Sequence, residues 1–219
     1  MSKKTILVLG ATGATGGLFC DLALKAGHSL VIWARTPSKL PDNIKNSPSV
    51  SVIEGQFADA KAQDKAAKCG ADVLATFMGP VTVPNAAGPA AFYKDFLPKV
   101  SQNGIKRALI LTTPSFATPE DKGALKWTAS TTLVKIIGFG AYGEMKGIGE
   151  TVTAIPLDTL AWTVFRVGWL NNGPAQPVTA TYTGSGEDTL GISRASIAQW
   201  VVDEIAADKY VGKSPYICN

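Results

Sequence analysis

The chain has 219 residues, 46% of them hydrophobic and 17% charged, a composition typical of a single globular domain. Its formal net charge of +4 comes without a basic cluster or interleaved basic and aromatic residues, so we expect no nucleic-acid partner. No apolar run reaches the roughly 20 residues that span a bilayer, and the N-terminal run is too short for a signal peptide, so we expect a cytoplasmic protein without a membrane partner.

Short β-type runs alternate with helical runs in the first half of the chain, which predicts a parallel sheet covered by helices. A strand is predicted at 5–9, followed by a helix at 14–26 with Leu18, Leu22 and Leu24 on its buried side. Further strands are predicted at 29–34, 51–53, 71–77 and 106–112, helices at 60–68 and 92–102, and a loop or short helix from residue 37.

The regular alternation loosens after residue 113. Residues 113–128 are predicted as a loop and 132–154 as a glycine-broken helix or helix pair. A strand at 162–167, a helix at 193–207 and a closing strand at 215–218 complete the chain. We therefore predict an α/β fold: a doubly wound, mostly parallel sheet in a single domain over residues 1–219, with the substrate side built mainly from 113–192.

The sequence LGATGATGG at 9–17 places a glycine-rich turn between the first strand and the first helix. The unpaired N–H groups and partial positive charge of a helix N-terminus favour a phosphate. Gly10 would permit the tight turn, Gly13 the close approach of a pyrophosphate, and Gly16 the packing of helix on strand. Glycine-rich turns are common, but this one opens a βαβ series, as a dinucleotide-binding motif requires. The candidate cofactor contacts here are Gly10, Thr12, Gly13, Ala14, Thr15 and Gly16, with the threonines as hydroxyl donors.

The end of the second strand indicates which nicotinamide cofactor is bound. NAD-binding proteins of this fold place a carboxylate there for the ribose hydroxyls, whereas this chain reads WARTPSK at 33–39, with two cations and no acid. Arg35 can form a bidentate contact with the extra 2′-phosphate of NADPH, and Lys39 adds a second positive charge. The alternative is that both are solvated surface cations. We predict NADPH as the cofactor.

Five further candidates lie at the ends of three strands, the edge at which an open α/β sheet binds its ligand. Met78 and Gly79, after the fourth strand, are predicted to pass beneath the adenine-ribose half of the cofactor. Thr112 and Thr113, after the fifth strand, are predicted to face the nicotinamide. Asp59, after the third strand, is either a partner for the adenine amino group or a helix cap.

The cysteines and the histidine indicate no metal site. Cys20, Cys69 and Cys218 are far apart and form no Cys-x-x-Cys pair, so neither a disulfide framework nor a zinc site is expected. The single histidine, His28, lies in a predicted helix-to-strand turn, where we expect a structural role. One histidine also leaves little material for a Ser-His-Asp triad.

Three motifs and the C-terminal tail carry a family resemblance: GATGATG at 10–16, ARTPSKL at 34–40, LDTLAWTVFRVGWLNNGP at 157–174 and the tail at 182–218. With them the sequence resembles atypical short-chain dehydrogenases/reductases of the NAD(P)H-binding, NmrA-like kind, and it is also similar to the biliverdin reductase B (flavin reductase) branch. The resemblance implies a Rossmann-type domain, NADPH and reduction of a small, often aromatic or carbonyl-bearing molecule. The chain departs from the pattern in two places: Arg166 is followed by Val167 instead of the usual proline, and residues 124–140 match no family pattern.

Tyr142 and Lys146 have the Tyr-x-x-x-Lys spacing of the wider dehydrogenase family, and residues four apart share one face of a helix. A lysine ammonium beside a tyrosine lowers the pKa of a phenol, which makes Tyr142 the candidate proton donor to a developing alkoxide. Lys146 is also the candidate contact to the nicotinamide ribose, and Ser115 or Thr113 would polarise the carbonyl. The alternative is a chance spacing in a glycine-rich helix, with catalysis by hydride placement alone.

The function that follows is an NADPH-dependent oxidoreductase acting on a small hydrophobic carbonyl, quinone or conjugated substrate. Two alternatives stay open: a regulator that binds the nucleotide without turnover, and a non-redox isomerase or dehydratase of a natural-product intermediate. Glu144 and Glu150 are interpreted as solvated or structural, and the sequence indicates no oligomeric state. The residues that either line an apolar substrate pocket or belong to the core are Trp127, Leu133, Ile136, Ile137, Phe139, Trp169 and Leu170.

Overall fold

The structure is a computed structural model that describes residues 2–79, 88–137 and 139–219. Its strands are β1 (Thr5–Leu9), β2 (Ser29–Ala34), β3 (Val50–Glu54), β4 (Val73–Thr76), β5 (Arg107–Thr112), β6 (Ala161–Val167), β7 (Trp169–Asn171), β8 (Thr179–Thr181), β9 (Gly191–Ser193) and β10 (Tyr216–Cys218). Its helices are α1 (Ala14–Lys25), α2 (Asp42–Lys45), α3 (Ala60–Ala67), α4 (Pro89–Gln102), α5 (Leu125–Ile137), α6 (Phe139–Thr153) and α7 (Arg194–Ala207), with a 3-10 turn at Pro37–Lys39.

Eight strands form the central sheet in the order β3-β2-β1-β4-β5-β6-β10-β8, and every pair is parallel except β10 with β8. The strand order reverses at β1, which pairs with β2 on one side and with β4 on the other. A ligand crevice lies outside the C-terminal ends of the strands at such a reversal. The predicted Rossmann-type, mostly parallel sheet in one domain is therefore confirmed.

Helices cover both faces of this sheet. The α1 crossover from β1 to β2 and the α4 crossover from β4 to β5 run in opposite directions, so right-handed connections place the two helices on opposite faces. On their respective faces α1 packs against α7, and α4 packs against α6. Residues 6–9 of β1 are consequently buried completely. No helix within the described ranges is long and apolar enough to cross a membrane.

The predicted elements up to residue 112 are all present, with boundaries shifted by three residues at most. The predicted buried side of α1 was wrong for Leu18, which is 42% exposed, whereas Leu22 and Leu24 are partly buried against the core. The helix buries Phe19, Cys20 and Ala23 more completely. The glycine turn sets this rotation: Gly16 faces the carbonyl oxygen of Gly10, so the face that continues from Gly16 points inward and Leu18 points outward.

The second half of the chain differs more from the prediction. Helix α5 begins at Leu125, inside the segment predicted as a loop, and the predicted helix pair is formed by α5 and α6. The strands β7, β8 and β9 were not predicted, and each has only three residues. Strands β7 and β9 form a separate two-stranded parallel sheet beyond the end of β6.

His28 has the structural role that was expected. Its ring is buried at the start of β2, and its Nδ1 accepts a hydrogen bond of 3.1 Å from the main-chain nitrogen of Lys4, just before β1. The imidazole therefore fastens the beginnings of the two neighbouring strands to each other.

Candidate cofactor and active site

The turn between β1 and α1 depends on two glycines. Gly10 has a φ of +84°, and a Cβ there would lie 2.8 Å from the carbonyl carbon of Phe77, just after β4. A Cβ on Gly16 would overlap the carbonyl oxygen of Gly10. Gly10 therefore allows the turn, and Gly16 allows α1 to pack directly against it, as the motif predicts.

The N-terminus of α1 is open to an anion. Gly13 is the N-cap residue, and among the described residues no side chain caps the helix and no acid lies in its first turn. The Cβ position of Gly13 has only the Gly10 carbonyl oxygen near it, at 3.3 Å. The free N–H groups and the helix dipole therefore face an accessible concavity that fits a diphosphate. Thr12 and Ala14 are exposed beside it, whereas Thr15 is buried.

A cleft of about 460 Å³ opens beside this turn and joins it to the segment after β2. Thr12, Gly13 and the exposed Leu18 line one wall, and Lys39 lines the other. Asp21 also borders the cleft, but its carboxylate is paired with Lys25 at 2.6 Å, so it adds little negative charge.

The three residues predicted near the adenosine half of the cofactor, Asp59, Met78 and Gly79, differ in burial and in hydrogen bonding. Asp59 is the N-cap of α3, and its Oδ1 accepts from the main-chain nitrogens of Lys61 and Ala62 at 2.9 and 3.3 Å. The helix-cap alternative is thus confirmed, and an adenine contact stays a prediction. Met78 is buried and can reach a ligand only through its main chain, while Gly79 is exposed.

The hydroxyl of Thr112 is engaged within the protein, and the predicted cofactor contact of this residue stays a prediction. Thr112 is completely buried, and its hydroxyl donates a hydrogen bond of 2.5 Å to the carbonyl oxygen of Met145. The physical reason is that α6 crosses the end of β5 here, so the hydroxyl joins strand to helix. Thr113 is half-buried, and its Oγ1 accepts from the main-chain nitrogen of the buried Ser115 at 3.3 Å. Their role toward a carbonyl stays a prediction.

Tyr142 and Lys146 both lie on α6, but the predicted interaction between them is not formed. The Nζ of Lys146 lies 3.4 Å from Oε1 of Glu150, one turn later on the exposed side of the helix. An ammonium gains more from a carboxylate at this spacing than from a neutral phenol. The cation that contacts Tyr142 is instead Lys135 of α5, whose Nζ lies 5.5 Å from the centroid of the phenol ring.

Glu144 has a structural contact, as interpreted from the sequence. Helix α4 begins after Gly88, which has no side chain to cap it, and Oε2 of Glu144 accepts from the main-chain nitrogen of Ala90 at 3.1 Å. The carboxylate thereby satisfies a first-turn donor of α4 and complements the positive end of its dipole.

Comparison with known proteins agrees with this geometry. The model of a family described as NAD(P)H-binding matches residues 10–208 of the chain. The protein belongs to this NAD(P)H-binding family. The family resemblance inferred from the three motifs and the C-terminal tail is confirmed at this level. No curated protein matches the sequence.

Solved structures share the fold of this NAD(P)H-binding protein. A short-chain dehydrogenase/reductase of Veillonella parvula DSM 2008 in complex with NADP has 19% identity and a TM-score of 0.80, with 100% of this chain and 95% of that chain covered. The anaerobilin reductase ChuY of Escherichia coli O157:H7 has 17% identity and a TM-score of 0.76, with coverages of 98% and 96%. A putative NAD-dependent epimerase/dehydratase of Bacillus halodurans has 17% identity and a TM-score of 0.73, with coverages of 99% and 94%.

Two carboxylates that the sequence motifs did not indicate connect distant parts of the chain between residues 113 and 192. Asp121 forms a two-point contact with the completely buried Arg166, at 2.5 Å from Nη1 and 2.9 Å from Nη2. Burial alone would raise the pKa of Asp121, but the Arg166 guanidinium together with hydrogen bonds from Thr118 and Thr183 holds that pKa below its usual value. Asp121 and Arg166 are far apart in the sequence, and only Arg166 belongs to a recognised motif. Their pairing could therefore not be predicted from the sequence.

Asp188 is the second of these carboxylates, and it anchors the start of α5. Its side chain accepts hydrogen bonds from Nε1 of Trp127 and from the main-chain nitrogens of Gly184 and Gly186, and it pairs with Lys126 at 3.1 Å. Burial opposes the charge, but these donors hold the pKa of Asp188 well below its usual value. A sequence signal existed in the repeated glycines before Asp188, which is typical of a turn around an acceptor.

The candidate pocket residues separate into two groups. Trp127 is buried and packs edge-on against Tyr216, with ring centroids 4.8 Å apart, so core packing explains it. Leu133, Trp169 and Leu170 are exposed, so core packing does not explain them. The side chains of the remaining candidates at 136, 137 and 139 lie outside the described part of the structure.

Proposed function

We propose that this protein is an NADPH-dependent reductase that acts by hydride transfer on a small hydrophobic carbonyl, quinone or conjugated substrate. The observation that carries the proposal is the cleft beside the β1–α1 turn, which is lined both by the uncapped N-terminus of α1 and by Lys39. A dinucleotide with a diphosphate and a further phosphate fits two such positive features.

Arg35 and Lys39 support NADPH over NADH. Both are exposed on the segment after β2, where NAD-binding proteins of this fold carry a carboxylate for the ribose. The planar guanidinium suits bidentate contact with a phosphate, and the lysine adds a point charge. The similar Veillonella structure in complex with NADP agrees with this choice.

The cofactor would supply the hydride, and the chain would hold and orient the reactants. The main-chain N–H groups of the first turn of α1, which follows the N-cap Gly13, would hold the diphosphate. At the C-terminal ends of β5 and β6, the hydroxyl of Thr113 or Ser115 would donate a hydrogen bond to the carbonyl oxygen. The phenol of Tyr142 would donate the proton that the resulting alkoxide needs. Lys146 would reach the nicotinamide ribose only after leaving Glu150.

A second candidate is a regulator that binds the nucleotide without turnover. The observation that favours it is that two residues predicted for the active site are engaged elsewhere, Thr112 with the Met145 carbonyl and Lys146 with Glu150. An assembled Tyr-Lys pair is therefore lacking in the described part of α6.

One experiment separates these functions. NADPH and NADH are titrated against the protein, and NADPH is then incubated with a panel of quinones, flavins and aldehydes while its nicotinamide absorbance is followed. Tight NADPH binding with consumption in the presence of a substrate supports the reductase. Binding without consumption supports the regulator, and binding of neither nucleotide refutes both functions.

A further inference from the structure

Trp169 is an exception among the five tryptophans of the chain. It is 52% exposed, although indole has a large apolar area to bury, whereas Trp33, Trp127, Trp162 and Trp200 are at most 9% exposed. Core packing therefore accounts for four of the indoles, whereas about half of the surface of Trp169 is not covered by the described part of the protein.

The exposed indole is held in place. The main-chain nitrogen of Trp169 donates to the Leu190 carbonyl oxygen at 2.9 Å, next to the pairing of β7 with β9. Its Nε1 donates to Oγ of Ser130, on α5, at 3.3 Å. The polar edge of the ring is thus satisfied by the protein, and a flat ligand that stacks on the ring would find it already oriented.

Trp169 also lies at the edge of the sheet where the ligand crevice opens. Arg166 of β6 is in register with Thr112 of β5, so Trp169 follows three residues beyond that level, on the same edge as the turn at Thr113. Leu133 is 46% exposed and lies one turn after Ser130 on the same face of α5. The two apolar side chains therefore flank the same part of the α5 surface.

We propose that Trp169 and Leu133 form an apolar platform for a flat conjugated ring, and that Trp169 is a substrate-specificity residue. This inference rests on the proposed reductase function and narrows its substrate class to planar conjugated rings such as quinones. A flat ring gains from stacking on an indole in addition to the apolar area that it buries, whereas a short aliphatic aldehyde gains little from either. The platform binds the substrate and takes no part in proton or hydride transfer.

A second copy of the chain is a less suitable occupant of this platform. Stable interfaces bury about 800 Å² on each partner. An aromatic side chain contributes roughly 150–250 Å² at most, so one indole and one leucine provide only part of such a face. The area matches a small molecule better.

The test uses W169A and W169F, with L133A and a matched control, L157A, whose leucine is 48% exposed on the turn before β6. NADPH affinity, melting temperature, and kcat and KM for a naphthoquinone and a short aliphatic aldehyde are measured for each protein. We expect W169A to raise the KM for the naphthoquinone about tenfold, and W169F and L133A to raise it about threefold or less. NADPH affinity, the KM for the aldehyde and all constants of L157A stay unchanged. An unchanged quinone KM in W169A overturns the platform.

A readout without turnover distinguishes failure of the platform from failure of the reductase. The ¹H–¹⁵N spectrum of W169F identifies which indole N–H signal belongs to Trp169, and the naphthoquinone is then added to the wild-type protein loaded with NADP⁺. A shift of that signal with no NADPH consumption by any substrate supports the platform and refutes the reductase. Consumption with an unmoved Trp169 signal overturns the platform. The platform is also overturned if the Trp169 signal depends on protein concentration and the wild type is a dimer while W169A is a monomer. That result would assign Trp169 to an interface between two copies of the chain.

Discussion

The ammonium of Lys135 on α5 lies 5.5 Å from the centroid of the Tyr142 ring on α6, while the ammonium of Lys146 lies on Glu150 one turn further along α6. The positive charge beside the candidate proton donor thus comes from a neighbouring helix. This arrangement makes the contributions of the phenol and of the two lysines separable by substitution.

Replacing Tyr142 with phenylalanine removes the hydroxyl and keeps the ring on which Lys135 lies. If the phenol donates the proton, kcat with a carbonyl or quinone substrate falls roughly 100-fold, the lower end of the range for general acid catalysis. NADPH affinity stays within about twofold, because the phenol is not among the predicted cofactor contacts. Steady-state kinetics with a parallel NADPH titration measure both. An unchanged kcat removes Tyr142 from the chemistry.

The two lysines make a matched pair for the next test, because both are exposed and both lie near Tyr142 in sequence or space. We expect K135M to lower kcat about tenfold through the loss of the charge beside the phenol, and to have no further effect in a Y142F background. K146M is expected to weaken NADPH binding without acting through Tyr142, so its effect adds to that of Y142F. The reverse pattern, with K146M coupled to Y142F and K135M additive, would return Lys146 to the role predicted from the spacing.

Local patterns predicted the parts of this protein that depend on nearby residues. A strand that ends in a glycine turn and continues into a helix involves one short segment, so the roles of Gly10 and Gly16 followed from the motif. The partners of Lys146 and Asp188 could not be predicted in this way. A spacing identifies which side chains share a helix face, but it does not identify which oppositely charged or polar group each side chain binds. The contact of Asp188 with Trp127 joins residues separated by 61 positions, and only the folded chain brings them together.

Substitution of the two cations after β2 tests the choice of cofactor. R35A and K39A are each expected to weaken NADPH binding about tenfold or more, since each loses a charge-assisted contact to the 2′-phosphate. NADH, which lacks this phosphate, should change by about twofold or less. K45A, at the end of α2 and equally exposed, is the control for a general loss of positive charge. Equal losses for NADPH and NADH in R35A and K39A would contradict the assignment of NADPH.

Asp188 is expected to stabilise the packing of α5 against the turn at 184–188. D188N removes the negative charge that four donors surround and leaves Lys126 without its carboxylate partner, which lowers the free energy of unfolding by about 3 kcal/mol. Because the pKa of Asp188 is lowered in the folded protein, this stabilisation is present above the ordinary value of 3.8 and is lost as the pH falls below it. Urea unfolding at neutral pH measures the loss. D203N, at an exposed position of α7, is the control, and an equal effect there would refute a special role for Asp188.

We expect His28 to make the free energy of unfolding depend on pH, in a pH range where ordinary carboxylates are already ionised. Burial lowers its pKa below the ordinary 6.5, with the charges of Lys4 and the N-terminus acting in the same direction, and its buried Nε2 has no hydrogen-bond partner among the described residues.

The unfolded chain therefore binds the His28 proton more readily than the folded protein. The stability that the neutral ring contributes is complete above pH 6.5 and declines as the pH falls through the folded pKa, with a slope of at most about 1.4 kcal/mol per pH unit. In H28N the amide oxygen can still accept from the nitrogen of Lys4, but it does not titrate. Urea unfolding of wild type and H28N between pH 7.5 and about pH 5 isolates the pH-dependent stabilisation by His28. Glu204, whose pKa is raised by burial, changes the stability in the opposite direction as the pH falls, but it does so equally in both proteins and cancels in the comparison. Parallel stability curves for wild type and H28N would show that the ring does not carry the effect.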